Sequence, residues 1–404
     1  MKDVFIVDAV RTPVGNFQGT LSPIRADDLA AHAIKSLVEK HPGIPKDAYE
    51  DVYLGCANQA GEDNRNVARM ASLLAGLPWS VPGETVNRLC SSGMAAVIHA
   101  SRAVQTGNGE LFIAGGVEQM TRGPWVISKV SQPFGRDAEM HDSSFGWRFI
   151  NPRMEALYGT DGMGNTAENL AALHKISRED QDKFAHWSQM KAAKAQVSGR
   201  LAEEIVPVPI PQRKADPLIF DKDEFIKPNT TLEVLAKLRP AFKKAAEGGS
   251  VTAGNSSGLN DGAAAMLVAS EQAIKQYNLT PLARIVASGV AGVEPRIMGI
   301  GPVPASEKAL KRAALKLNDM EIIELNEAFA AQALACTRTW GIADDDPRLN
   351  PNGGAIAIGH PLGMSGTRIL QTAAIELHQQ QKRYALVTMC IGVGQGYATV
   401  IERV

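Results

Sequence analysis

Two stretches of the chain begin on a residue able to do nucleophilic or acid–base chemistry and then continue alike. Cys90 opens "CSSGMAAVIHASRAVQTG" and His360 opens "HPLGMSGTRILQTAAIEL"; the spacing is 360 − 90 = 270, and Gly93-Met94 and Gly363-Met364 share it (363 − 93 = 270). After Cys90 the pattern is apolar almost all round (Met94, Ala95, Ala96, Val97, Ile98, Ala100, Ala103, Val104), which predicts a buried helix. Ser91, Ser92 and Gly93 fall in its first turn, so Cys90 stands at the N-terminus. There the helix dipole and free N–H groups favour a thiolate and lower the thiol pKa, although a small buried cysteine fits the same pattern. His360 holds the matching place in the second copy. A two-fold relation between the copies would bring both helix starts together, and a Cys–His pair activates a thiol.

Two further stretches carry reactive groups. Cys390 begins "CIGVGQG" after an apolar strand pattern. A strand follows these glycines rather than a helix, which excludes a dinucleotide loop and leaves tight turns whose N–H groups can hold an oxyanion. In "IIELNEAFAAQA", Asn326 lies where a strand pattern becomes a helix pattern; it either caps that helix or holds a water or carbonyl with its amide. No G-x-S-x-G elbow surrounds Ser91 and Ser92, which disfavours a serine hydrolase.

These residues need a frame. In both copies the helix pattern leads to a short apolar strand ("ELFIAGG", "RYALVTMCIG"), and each half opens on another ("DVFIVDAVRTP", "ARIVASGVAG"). The reading is an α/β fold made of a duplicated unit with mostly parallel sheets covered on both faces. Residues 121–249 break the rhythm with loop-like, proline-rich and amphipathic helical segments, and are expected to form an inserted cap. The halves are then residues 1–120 with 250–273, and residues 274–404.

Composition limits the partners. With 404 residues, 45% hydrophobic and 21% charged, and a net charge of −1, the chain offers no basic surface for nucleic acid or a lipid headgroup layer. No apolar run reaches the roughly 20 residues a membrane helix needs. Four cysteines (Cys56, Cys90, Cys336, Cys390), none spaced as C-x-x-C, argue against a disulfide scaffold and a zinc site. No signal or transit pattern precedes the first strand, so the cytoplasm is the default expectation.

"NRLCSSGMAAV", "NEAFAAQ", "NGGAIAIGHPLGMSGTR" and "MCIGVGQGYA", in this order, resemble the hallmark segments of the thiolases, and "VTAGNSSGLNDGAAA" and "KLRPAF" extend the resemblance over essentially the whole chain. The resemblance implies an α-β-α-β-α layered core and thiolytic cleavage of a 3-oxoacyl-CoA. Coenzyme A is then substrate and product, with no permanent cofactor and no metal. It implies Cys90 as nucleophile, Cys390 as acid and base, and His360 with an Asn326-held water in one oxyanion hole. The N–H groups of Cys90 and Gly392 would form the other hole. It places Ser257 near the pantetheine, Met163, Phe242 and Phe329 along the CoA tunnel, Met298 near the thioester, and Lys227 where many relatives bind the nucleotide with an arginine. Gly162 stands where acetoacetyl-CoA enzymes have histidine. "GVEQMTRGPWVISK" and "FGWRFINPRMEALYG" resemble the degradative branch that acts on 3-oxoadipyl-CoA, with a general 3-ketoacyl-CoA or acetoacetyl-CoA thiolase as the alternative. For a terminal carboxylate Arg122, Arg148 or Arg153 is a candidate cation, unless these arginines are surface residues or meet neighbouring subunits. A homo-oligomer, a dimer or a dimer of dimers, is also implied.

Overall fold

The computed structural model describes residues 2–404. Nine strands form its frame: β1 (Val4–Arg11), β2 (Asp51–Gly55), β3 (Glu84–Val86), β4 (Leu111–Gln119), β5 (Asn260–Ser270), β6 (Ala283–Gly292), β7 (Ile322–Leu325), β8 (Tyr384–Ile391) and β9 (Gln395–Arg403). They run side by side in the order β7-β8-β9-β6-β1-β5-β4-β2-β3, with the two-residue strand Gly15–Asn16 pairing to the start of β5. The halves meet where β1 pairs with β6 over only two positions, Phe5 opposite Arg284 and Ile6 opposite Ala283.

The chain is α/β, as read, but the expectation of mostly parallel pairing does not hold. Parallel pairs are confined to the flanks, β2 with β3 and β4, and β7 with β8. β1, β5, β6 and β9 pair antiparallel throughout, as does β9 with β8. The physical reason is burial: β5 is covered on both faces along its whole length, so from Gly262 onward it is apolar or small without being parallel.

Helices supply the cover. The outer face of the first half packs on α1 (Ala26–Lys40) through Leu29, Ile34 and Leu37. α2 (Ser92–Thr106) lies between the two halves together with the helix Leu362–Gln379, and α3 (Met163–Leu173) packs over the second half. α4 (Arg178–Val197) packs on α5 (Ala330–Trp340), which packs on α3, and the inner helix Leu362–Gln379 is α6. α2 and α6 start at Ser92 and Leu362, again 362 − 92 = 270 residues apart. α2 stops at Gly107, whose φ of 79° is the left-handed cap conformation, with Asn108 N–H bonding Ala103 O at 2.9 Å.

The two starts touch. A Cβ on Gly93 would lie 2.4 Å from Gly363 O, and one on Gly366 would lie 2.4 Å from Met94 N. Only glycine permits that approach, and the approach is what brings Cys90 and His360 to one place. The stretch 121–249 contributes two ribbons, Trp125–Ile127 with Met140–Asp142 and Val208–Ile210 with Leu218–Phe220, together with α3 and α4. No described helix is long and apolar enough to cross a membrane.

Candidate active site

The turn that presents Cys90 is built by its neighbours. Asn87 Oδ1 accepts the Leu89 N–H at 2.9 Å, and Ser92 Oγ accepts the Arg88 N–H at 2.9 Å while donating to Leu89 O at 2.6 Å. Leu89 is forced to a φ of 47°, a conformation that non-glycine residues rarely adopt. The chain thereby turns sharply from β3 through a short 3₁₀ segment (Leu89–Ser91) into α2.

The thiol is not activated in the way its helix-start position predicts. Burial pushes Cys90 up to about 11, and the Gly392 N–H and the Cys90 N–H pull against that without prevailing. Those two N–H groups nevertheless converge on the sulfur, and Gly392 owes its position to the β8–β9 hairpin. There Val393 and Gly394 both have positive φ (62° and 80°), strained for a β-branched residue, as a tight turn between twisted strands requires. Cys390, at the end of β8, is fully buried; burial raises its thiol well above the ordinary value, and the charge on Cys90 adds to the shift.

His360 is held from three sides. Asn260 Oδ1 accepts its backbone N–H at 2.9 Å, Nδ1 lies 2.7 Å from Ser365 Oγ, and Nε2 lies 3.4 Å from Asn326 Nδ2. Ser365 donates its own hydroxyl proton to Pro361 O at 2.8 Å, so it accepts at the other side and the proton of neutral His360 sits on Nδ1. Nε2 is therefore a bare lone pair. Burial, with the Arg368 charge adding, lowers His360 to about 3, so the ring stays neutral at physiological pH. Asn326 is no helix cap: α5 begins at Ala330 with Phe329 at its N-cap, and the Asn326 Oδ1 is buried without a protein partner.

Two arms of one cleft meet at Cys90. The first is lined by His360, Met163, Phe242, Ser257, Met298 and Phe329, the residues singled out from sequence, together with Met120, Ser256 and Leu259. Phe242 and Phe329 stand edge to face, 6.2 Å between ring centres. The second arm is lined by Asn58, Ser143, Ser144, Trp147, Arg148, Gly392 and Val393. Lys227 lines neither arm; its Nζ lies over the Phe225 ring, 4.9 Å from the centroid, so the structure does not bring it to the cleft.

Three residues of the site escaped the sequence reading. Ser365 and Asn260 fix His360 and are visible only through contacts. Glu118, buried at the second arm, accepts N–H groups from Ala57, Asn58 and Gly363 at 2.8–3.0 Å, and burial raises it to about 7. An acidic residue ending the apolar strand "LFIAGGVEQ" was the available signal. Donor atoms of Cys56, Asp63 and Glu118 lie within 4.8 Å of one another, but Glu118 is already occupied by those N–H groups and Cys56 Sγ bonds Asp63 at 3.8 Å.

A thiol facing two N–H groups, beside an unprotonated imidazole nitrogen and a second buried thiol, suits carbon–carbon cleavage through an acyl-cysteine. Comparison with known proteins agrees. Residues 4–272 match the family model "Thiolase, N-terminal domain" and residues 279–403 match "Thiolase, C-terminal domain". The chain belongs to the thiolase family.

This thiolase is 58% identical over 404 residues to "3-oxoadipyl-CoA/3-oxo-5,6-dehydrosuberyl-CoA thiolase" of Escherichia coli, with both chains fully covered. It is 57% identical over 403 residues to "Beta-ketoadipyl-CoA thiolase" of Pseudomonas aeruginosa, again over 100% of each. Among solved structures it matches human mitochondrial 3-ketoacyl-CoA thiolase with a TM-score of 0.91 at 40% identity, covering 100% of this chain and 99% of that one. The acetyl-CoA acetyltransferase of Bacillus anthracis gives 0.92 at 39%, with the same coverage. The protein is thus an acyltransferase that cleaves a 3-oxoacyl-CoA with CoA, and CoA is its substrate rather than a resident cofactor.

Proposed function

We propose that the substrate is 3-oxoadipyl-CoA, cleaved to succinyl-CoA and acetyl-CoA. The observation that carries this reading is full-length identity of 57–58% to thiolases named for that substrate. A second arm lined by polar groups beyond Cys90 supports it, since the succinyl half needs a polar seat.

The site residues take the following roles. Cys90 passes its proton to the bare Nε2 of His360 and its sulfur attacks the C3 carbonyl. The resulting oxyanion lies against the N–H groups of Cys90 and Gly392, donors of a kind worth roughly 3–4 kcal/mol each to a transition state. The C2–C3 bond breaks. The enolate oxygen is met by the proton now on His360 Nε2 and by the Asn326 amide, while Cys390 protonates C2 and releases acetyl-CoA. The Cys390 thiolate then takes the proton of incoming CoA, whose sulfur attacks the acyl-cysteine. Cys90 leaves and recovers its proton from His360, so every group returns to its starting state. A thiol pushed up to about 11 makes a proton acceptor necessary, and neutral His360 offers the free Nε2 lone pair. Because burial opposes charge on both groups, the transfer has to run together with the attack on the carbonyl, the two N–H groups taking up the negative charge.

CoA enters by the first arm, along Met163, Phe242, Phe329, Ser257 and Met298. Lys227, exposed beside Phe225, is left for the nucleotide end of CoA. The division into residues 1–120 with 250–273, 121–249 and 274–404 belongs to the same reading, as do assembly into a dimer or dimer of dimers and a cytoplasmic site of action. Exposed Trp125, Ile127 and Met140 on one ribbon favour burial against another copy.

Thiolysis rates across 3-oxoadipyl-CoA, acetoacetyl-CoA and longer straight-chain 3-oxoacyl-CoAs test the substrate. The expected result is the highest kcat/KM for 3-oxoadipyl-CoA; preference for a straight-chain substrate overturns the assignment and leaves the family standing.

A further inference from the structure

The second arm of the cleft contains one cation. Among the described residues, Arg148 is the only lysine or arginine lining either arm. It follows Trp147 in the loop between the Trp125–Ile127/Met140–Asp142 ribbon and the short helix Pro152–Tyr158, and it is half-buried. Its guanidinium bonds only neutral oxygens, all at long range: Ser143 O at 3.2 Å, Asn58 O at 3.5 Å and Asn58 Oδ1 at 3.4 Å. Among the described residues no carboxylate forms an ion pair with it. Glu118, the acid of this arm, is instead engaged by three backbone N–H groups.

The other candidate cations are committed or absent from the cleft. Arg122 Nε bonds Glu62 Oε2 at 2.7 Å, and Arg122 lines neither arm. Arg153 is exposed on its short helix and also lies outside both arms. Arg88, next to the nucleophile, donates to Gln395 Oε1 at 3.0 Å and lies over the Tyr397 ring.

We propose that Arg148 binds the terminal carboxylate of the acyl group and so determines specificity for dicarboxylic 3-oxoacyl-CoAs. The proposal rests on the substrate reading above. A guanidinium held by weak neutral contacts keeps most of its hydrogen-bonding capacity for an anion, and its planar fork matches a carboxylate in two parallel bonds. Ser143 and Ser144, both buried in the same wall, and the Asn58 side chain complete a polar seat there. The succinyl group on Cys90 carries its carboxylate two methylenes beyond the thioester carbon. CoA occupies the apolar first arm, so the second arm is where that carboxylate extends. A carboxylate-free chain of equal length leaves Arg148 unpaired and forgoes its binding energy.

The test compares 3-oxoadipyl-CoA with 3-oxohexanoyl-CoA, which has the same chain length and no carboxylate, on the wild-type protein and on Arg148→Gln and Arg148→Lys. With the wild type preferring 3-oxoadipyl-CoA, Arg148→Gln is expected to lower kcat/KM for that substrate about 100-fold, mostly through KM. Its rate on 3-oxohexanoyl-CoA is expected to stay within a few-fold of wild type. Arg148→Lys should fall between, because it keeps the charge and loses the fork. Equal losses on both substrates, or no loss on either, overturn the role of Arg148 and leave the substrate reading intact. A wild-type preference for 3-oxohexanoyl-CoA overturns the substrate reading itself, and the assignment of Arg148 falls with it. If Arg148→Gln does not fold, Arg148→Lys decides alone by whether its loss is confined to the carboxylated substrate.

Discussion

The two helix starts that touch between the halves stand at equivalent positions, 270 residues apart, and differ in almost everything else. At the start of α2, Cys90 keeps partial contact with the cleft and no side chain hydrogen-bonds its sulfur; only the N–H groups of Gly392 and Cys90 approach it. At the start of α6, His360 is buried and tied to Asn260, Ser365 and Asn326. Burial acts on both, raising the thiol to about 11 and lowering the imidazole to about 3. It therefore keeps both groups neutral at rest. The repeat provides two equivalent positions, and the side chains around each suit one to the attacking role proposed for it and the other to that of a fixed partner.

The largest effects should separate the two starts by role. Cys90→Ala is expected to abolish thiolysis, by 10⁴-fold or roughly more, and to end labelling of the protein by radioactive acetyl-CoA. His360→Ala should cost about 10³-fold in kcat, because both proton acceptance and one oxyanion contact are lost. Cys90 is still present in that variant, so slow acyl labelling should persist. Labelling at the wild-type rate after His360→Ala would break the comparison, since it would mean the thiol needs no partner.

A smaller effect measures the thiol directly. With its pKa near 11, the thiolate fraction of Cys90 rises about tenfold per pH unit, so alkylation by iodoacetamide should climb about 100-fold between pH 7 and 9. Cys56, Cys336 and Cys390 are fully buried and should remain unmodified in the folded protein. A rate that levels off below pH 8.5 would show that the converging N–H groups outweigh burial, and the helix-start expectation would be restored.

How much of this was legible beforehand depended on range. The 270-residue offset is a property of the sequence, and it survives as the offset between the first residues of α2 and α6. The residues of the first arm, from Met163 to Phe329, came from motif resemblance, and of the six positions it assigned to CoA all but Lys227 line the cleft. Pairing direction was misread because strands buried on two faces look alike whether parallel or antiparallel, as β5 demonstrates. The lowered thiol was misread because a dipole argument is local and desolvation is not. The residues alone left Asn326 open between a cap and a holder of water or carbonyl, because the strand-to-helix change was visible whereas the extended residue Phe329 that starts α5 was not. Ser365, on the first turn of α6, has no signal of its own: its part in the site exists only once His360 is placed beside it.

Ser365 therefore provides the finest test of the comparison. It accepts the Nδ1 proton at 2.7 Å and gives its own to Pro361 O, which leaves Nε2 bare toward the cleft. Ser365→Ala removes the acceptor without touching substrate, Cys90 or Asn326. Without it the imidazole loses its orientation and its tautomer preference, and kcat should fall roughly 10-fold while KM for the 3-oxoacyl-CoA holds. Ser365→Thr restores a hydroxyl at the same place and should recover part of the loss. A stability change alone, with kcat unaltered once the folded fraction is counted, would show that Asn326 and the surrounding packing suffice to aim the ring. His360 would then match Cys90 more closely than the hydrogen bonds suggest, as a group positioned by its backbone rather than by its partners.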